Sequence, residues 1–544
     1  MTRAAFLCSL VLVIQLPDIS ELAASQGGPL PMSEFAPPET REPPPFELSG
    51  RVGVRPAAGK AHMQVHQSED PENVLSELKA LPAVLFTIVQ AHDRLLTLEK
   101  HPLESNHPHW EFVALDGVTW ASSKRQGWLE AAMPFALRER NQNCTHQGMI
   151  RFSAGPGGEL SPARYQVSSE TCAYRKLDLW GEVDLEWDSG RAPDRSRLVA
   201  SRKALEQHRL PLRKIEQLPE DYPALPADGL RPPAQQLSVY GYVVNGIHYR
   251  SDCFTRQGPF PLCSEFALPS YSTAKALLAG MAYRQILKMD AGFADSAVTR
   301  WIPECRLHDE RWEGVRLRHL SDMNTGLFDS DIFQADEGAL KKINGFFIPE
   351  THADKLAFAC TAYPRKAPPG ATQVYHTSDT YLLGVAMSRY LEQRQAVRTD
   401  IRQWVNAHLY QHLQLNPVAL TTMRTYDETA QPWAGYGLTL TPDDAARLGL
   451  FMAAHHADFE QVPNWPAARG ERYSNGVWAV DASHWVGCPE PVWIPFMSGY
   501  GGITIAMLPH GSVMYMFGDG HEFTWLRNAA LLHNVQSWCK GKPS

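Results

Sequence analysis

Three places in this chain set a serine three residues ahead of a lysine: Ser76–Lys79, Ser272–Lys275 and Ser537–Lys540. On a helix that spacing puts both side chains on one face, about 5–6 Å apart at Cβ. A lysine amine screened from water gives up its proton more readily and can then act as base toward the serine hydroxyl. Context separates the three. Ser76 sits among Glu72, Glu77 and Lys79, the makeup of a solvated helix face, and Ser537 has little chain after it to supply partners. Ser272 alone opens a long apolar stretch, AKALLAGMAYRQIL, with helical periodicity and with Pro269 just upstream, as suits a helix start. A helix N-terminus there would add donors and a positive field for a developing oxyanion.

Two later segments could complete such a site. In VYHTSDTYLLG, Tyr375 precedes a helical stretch; a nearby ammonium would favour its phenolate and make it a general acid/base. Taken alone, it reads as a core tyrosine with a bonded hydroxyl. In FMSGYGGITIA, the run Ser498-Gly499-Tyr500-Gly501-Gly502 enters an apolar strand. Glycines let a backbone approach substrate closely, and an edge strand there can donate a second oxyanion N–H. Taken alone, it reads as a bulge or tight turn.

In this order the motifs resemble the class C β-lactamase-related serine hydrolases, a penicillin-recognising superfamily that includes DD-peptidases, esterases and 6-aminohexanoate-dimer hydrolases. Residues 317–327 and 435–449 are similar to two further segments of that family, and the resemblance covers about 238–538. It implies an α+β fold, an antiparallel sheet flanked by helices with an all-helical subdomain, preceded here by a small β-rich domain. It implies Ser272 as the acylated nucleophile, Lys275 as its base and Tyr375 as the tyrosine of the second motif. Ser498 and Gly499 fall where the family has Lys-Thr-Gly or His-Thr-Gly, and the N–H of Tyr500, ahead of Gly501, would be an oxyanion donor beside that of Ser272.

Two positions depart from the family pattern. Thr377 stands where lactamases and DD-peptidases often carry Asn, and Met497 stands where they carry a cation for the substrate carboxylate. Losing a charge-assisted hydrogen bond costs about 1.5–3 kcal/mol, roughly one to two decades of affinity. The spelling is nearer the esterase and 6-aminohexanoate-dimer hydrolase branch than true β-lactamases. The expected chemistry is therefore hydrolysis of a small amide or ester through a Ser272 acyl-enzyme, with no metal or organic cofactor. The alternatives are a catalytically silent envelope protein that keeps the fold as a binding scaffold, or a DD-peptidase or β-lactamase.

The remainder of the chain must position these residues. Its 544 residues exceed one ordinary domain, and 44% hydrophobic with 20% charged residues is a globular mixture. A net charge of −8, without any Lys/Arg-rich run, argues against a nucleic-acid partner. Residues 1–25 have the order of a secretory signal: Arg3, a short apolar run, then small residues. No other segment is apolar enough to span a membrane, so the mature chain is expected to be periplasmic or secreted. Eight cysteines remain beyond that leader; proximity pairs Cys144 with Cys172 and Cys253 with Cys263, and the other four are left open. Residues 26–70 read as a Pro-rich tether, 71–190 as a β-rich accessory domain, 191–235 as a linker and 236–544 as the hydrolase domain. Strands are expected around 110–114, 149–152 and 177–180, and a hairpin at Asn245-Gly246. The accessory domain shows no visible chemistry, though it could deliver the enzyme to an envelope polymer or protein. His101, His107, His109, His455 and His456 match no ligand spacing, and Asn143-Cys-Thr145 is a chance glycosylation match.

Overall fold

The computed structural model describes residues 27–69, 77–190, 195–226, 229–306, 310–395, 399–455 and 470–539. The expected leader 1–25, Ser76, His456 and Lys540 lie outside them.

The first half is a closed antiparallel barrel. Its strands are β1 (Ser49–Ser68), β2 (Val84–Ala91), β3 (Arg94–Thr97), β4 (Trp110–Ala114), β5 (Gly117–Ala121), β6 (Leu129–Glu139), β7 (Thr145–Ala154), β8 (Ala163–Thr171) and β9 (Arg175–Asp188). The ring runs β6-β5-β3-β2-β1-β9-β8-β7 and closes where β7 pairs with β6, while β4 shares the β5 side of β6. Closure leaves almost no edge exposed to other chains. Alternation on β6 explains the two environments of its residues. Leu129, Ala131, Met133, Phe135 and Leu137 fill the barrel with Phe86, Phe112 and Phe152. Outside, Ala132 of β6 joins Val118, Trp120 and Met149 in the core of the second half.

Here the structure redraws two expected boundaries. The second part of the expected tether forms β1, and its register shifts between Pro56 and Ala61, where proline offers no N–H to the ladder. The expected linker carries a helix, Arg195–His208, and β10 (Leu212–Lys214). From that helix Arg202 donates to Asp116 of the barrel and to Glu265 beyond it, so the segment is a structural joint.

The second half is α+β. Its sheet has the order β10-β12-β11-β19-β18-β17-β16-β15, with β11 (Leu237–Val244), β12 (Ile247–Arg250), β15 (Arg472–Ser474), β16 (Val477–Asp481), β17 (Trp493–Gly499), β18 (Ile503–Leu508) and β19 (Ser512–Gly518). All neighbours are antiparallel except β10 and β12. The expected hairpin is present: Asn245 and Gly246 both take positive φ, as a two-residue turn between twisted strands requires. The helix Pro442–His455 packs on β18 and β19 through Gly449, where a Cβ would meet Val513 and Ile505. A short pair, β13 (Leu268–Pro269) with β14 (Thr439–Leu440), brackets a helical subdomain that includes Met281–Met289, His352–Thr361 and Thr377–Gln395.

Four disulfides join the eight cysteines: Cys144–Cys172, Cys253–Cys263, Cys305–Cys360 and Cys488–Cys539. Both expected pairs form. Among the described residues no helix is long and apolar enough to cross a membrane.

Candidate active site

Ser272 is half-buried, in a tight helical turn, Tyr271–Thr273. Lys275 begins the next segment, Lys275–Gly280, which is wound with π-helical spacing before the regular helix Met281–Met289. Another turn packs closely beside it. Between β15 and β16, Gly476 has φ +83°, and a Cβ there would lie 2.5 Å from Ala276 N and from the Lys275 carbonyl carbon. Asn475 next to it donates to Gly280 O at 3.0 Å. Such local π-type turns concentrate at functional sites.

Lys275 is 2% exposed. Its Nζ lies 2.8 Å from Ser272 Oγ, 2.8 Å from Thr377 Oγ1 and 3.3 Å from the Gly435 carbonyl. Burial lowers its pKa to about 7; Glu337 acts against that shift and Lys342 with it. A neutral amine has two hydrogens and one lone pair. Thr377 and Gly435 can take the hydrogens, which leaves the lone pair for the Ser272 hydroxyl.

Tyr375 stands just before the helix Thr377–Gln395, and its hydroxyl bonds to Ser272. Its ring stacks on Trp478 at 5.7 Å, packs edge-on to Tyr473 at 6.0 Å and has Lys275 Nζ 4.9 Å from its centre. Burial raises its pKa, the Glu337 charge raises it further, and the bond to Ser272 only partly offsets them. The expected phenolate is therefore corrected: burial and the Glu337 charge keep the proton on the phenol.

Glu337 has no counterpart in the motifs read from sequence. It accepts the Thr377 hydroxyl on one oxygen and the Thr377 N–H on the other at 2.9 Å, with Lys342 Nζ at 3.4 Å. Burial alone would raise its pKa, but Lys342, Lys275 and Thr377 outweigh burial and hold it below the ordinary value. Asp379, two residues along the same helix from Thr377, is pushed by burial to about 8. Glu337 lies in polar sequence with no periodicity or spacing to single it out, and Asp379 lies within the VYHTSDTYLLG segment with no role assigned to it from sequence.

Ser498 and Gly499 end β17, and Tyr500, Gly501 and Gly502 turn it into β18. At Gly499 a Cβ would sit 3.0 Å from Ser270 O, so this strand end lies directly against the nucleophile turn. β17 is interior in the sheet, yet β16 pairs with it only as far as Phe496, leaving Met497–Gly499 a local edge on that side. Tyr500 is 47% exposed and its ring lies 5.8 Å from that of Tyr271.

Residues 266–520 match the family model described as "Beta-lactamase". These residues form a β-lactamase-family domain. The chain thus carries a domain of the penicillin-recognising serine hydrolase superfamily. No curated protein matches the sequence. Solved structures similar to it include EstCE1, a hydrolase with promiscuous acyltransferase activity (17% identity, 61% of this chain and 100% of that one, TM-score 0.43). A penicillin-binding protein homologue from Caulobacter crescentus aligns at 15% identity over 64% and 99%, TM-score 0.40. A D-amino acid amidase from Ochrobactrum anthropi SV3 aligns at 11% identity over 62% and 98%, TM-score 0.38.

Within the β-lactamase-family domain the structure brings together Ser272, Lys275, Tyr375 and Thr377, with Ser498, Gly499, Tyr500 and Gly501 along one wall. Met497 is fully buried in the core that also holds Ala274 and Leu277, so that position offers substrate no cation. The histidines outside the domain are engaged locally: His107 Nδ1 accepts from the backbone of His109 and Trp110, and His109 pairs with Glu77. Two clusters with metal-like geometry, around Cys144–Cys172 and Cys488–Cys539, have their sulfurs in disulfides.

Proposed function

We propose that the protein is an exported serine hydrolase that cleaves a small amide or ester through a Ser272 acyl-enzyme. The observation that carries this reading is the buried Lys275 amine, shifted to about 7, 2.8 Å from a half-exposed serine hydroxyl. Neutral Lys275 takes the Ser272 proton as Oγ attacks the carbonyl carbon. The oxyanion is held by the N–H groups of Ser272 and Tyr500. Tyr375, protonated, donates to the leaving group and is left as a phenolate beside the Lys275 ammonium. The phenolate then takes a proton from the water that attacks the ester, and Lys275 returns its proton to Ser272 Oγ as that oxygen leaves. The buried Met497, where a cation would hold a substrate carboxylate, favours an esterase or amidase over a β-lactamase or DD-peptidase. Four disulfides support an oxidising compartment, periplasmic or extracellular.

The test is a fluorophosphonate probe with mapping of the modified peptide. Labelling at Ser272 is expected, with loss of label and at least a thousandfold (about three decades) loss of p-nitrophenyl ester turnover in Ser272→Ala. Nitrocefin turnover should stay low. A folded protein that takes no label would assign a silent scaffold instead, and fast nitrocefin cleavage would move the substrate to β-lactams.

A further inference from the structure

Asn143 lies on the turn between β6 and β7 of the barrel, yet its side chain is buried against the nucleophile turn of the β-lactamase-family domain, 1% exposed. Its Oδ1 accepts from Tyr271 N at 2.7 Å, from Gly437 N at 2.9 Å and from Ser270 Oγ at 3.3 Å, while Nδ2 donates to Leu438 O at 3.4 Å. Three donors thus converge on one amide oxygen. Tyr271, immediately before Ser272, has φ +40°, a conformation that costs a bulky residue on the order of 1–3 kcal/mol and persists only where its surroundings overdetermine it. The bond from Asn143 fixes the peptide next to the one that carries the Ser272 N–H. Through Gly437 the same oxygen anchors the loop whose Gly435 carbonyl accepts from Lys275.

A second barrel tip touches the opposite wall. Between β8 and β9, Cys172 N donates to Asp519 Oδ2 at 3.2 Å, and Ala173 Cβ lies 3.4 Å from where Gly501 would carry a Cβ. The Cys144–Cys172 disulfide ties this tip to the residue after Asn143. One stapled pair of turns therefore stands behind both halves of the oxyanion hole proposed above.

We propose that the barrel is part of the catalytic unit, with Asn143 a positioning residue that, held by the Cys144–Cys172 staple, sets the backbone donors facing the substrate carbonyl. This rests on Ser272 being the acylated nucleophile. Because Asn143 is enclosed, with its amide nitrogen turned onto Leu438 O, its Asn-Cys-Thr context is no glycosylation site in the folded chain.

The experiment uses the full chain and compares wild type, Asn143→Ala, Asn143→Asp and, as a stability control, Leu95→Ala inside the barrel. For each, kcat and KM on a p-nitrophenyl ester, the fluorophosphonate labelling rate of Ser272 and the melting temperature are measured. Asn143→Ala is expected to lower kcat and labelling about a hundredfold with KM within about threefold, as for a displaced transition-state donor. Asn143→Asp, which keeps the accepting oxygen, is expected to recover at least about a tenth of the wild-type rate. Leu95→Ala should lower the melting temperature and leave kcat unchanged. Wild-type labelling in a folded Asn143→Ala, or an equal kcat loss in Leu95→Ala, would overturn the proposal. If Asn143→Ala does not fold, the Cys144→Ala/Cys172→Ala pair decides: about tenfold slower labelling supports the stapled tips, and an unchanged rate overturns them. A wild type unlabelled at Ser272 would sink the functional reading itself, a result distinct from either.

Discussion

The chemistry at Ser272 rests on a lysine whose charge the fold suppresses. Burial brings Lys275 to about 7, and the Glu337 carboxylate acts in the opposite direction. The reactive form is the free amine, so kcat/KM should rise with pH through about 7 and then level off; at pH 6 the wild type should run at about one-tenth of its plateau. Glu337→Gln removes the charge that stabilises the ammonium. Its rising limb should therefore move to lower pH, and the variant should retain a larger fraction of its plateau at pH 6. A pH–rate profile checks this, and an unmoved limb would show that Glu337 is not felt at Lys275. At this scale the sequence was informative only where chemistry has a spacing. Ser272 and Lys275 are legible because one helical turn links them. Glu337 and Asn143 reach the site from segments far away in sequence; nothing near Glu337 marks it, and the Asn-Cys-Thr spelling at Asn143 points to a different chemistry.

Among elements, the β15–β16 hairpin does most to assemble the site. Its turn presses Gly476 against the Lys275 backbone, while Tyr473 on one strand and Trp478 on the other hold the Tyr375 ring. A single element thus sets the distance between the base and the phenol. Gly476→Ala combines a positive φ that alanine resists with a Cβ 2.5 Å from backbone atoms that cannot move aside cheaply. A stability loss of about 2 kcal/mol or more is expected, with kcat lowered at least about tenfold, read by chemical denaturation and ester turnover. Wild-type values on both would mean that the hairpin does not set the spacing. The sequence carries the Asn-Gly signal of this turn as clearly as that of Asn245-Gly246, but a turn signal tells nothing of what the turn will touch. The same limit explains β1. Prolines and glycines between residues 26 and 70 read as a tether, because the bulge that accommodates Pro56 exists only once β9 lies beside it.

For the molecule as a whole, the question is how firmly the barrel is held to the β-lactamase-family domain. Arg256, in the loop after β12, donates to both oxygens of Glu170 at 2.6 and 2.7 Å and to Asp178 at 2.8 Å. The two carboxylates belong to β8 and β9, and their side chains are 3% and 1% exposed. Burial raises the pKa of Glu170 and Arg256 counters it. Arg256→Ala should therefore raise that pKa further above its unfolded value. Stability from a group so shifted is fully present below the unfolded pKa and is lost as pH rises through the folded one. The variant should thus lie nearest to wild type at about pH 4 and fall behind by about 3–5 kcal/mol at pH 8, the usual cost of stranding a buried charge. The barrel has its own closed core, so weakening the joint should also split one calorimetric transition into two. A single transition with a pH-independent deficit would show that the two halves are held together elsewhere, with Arg202 between Asp116 and Glu265 the next bridge to remove.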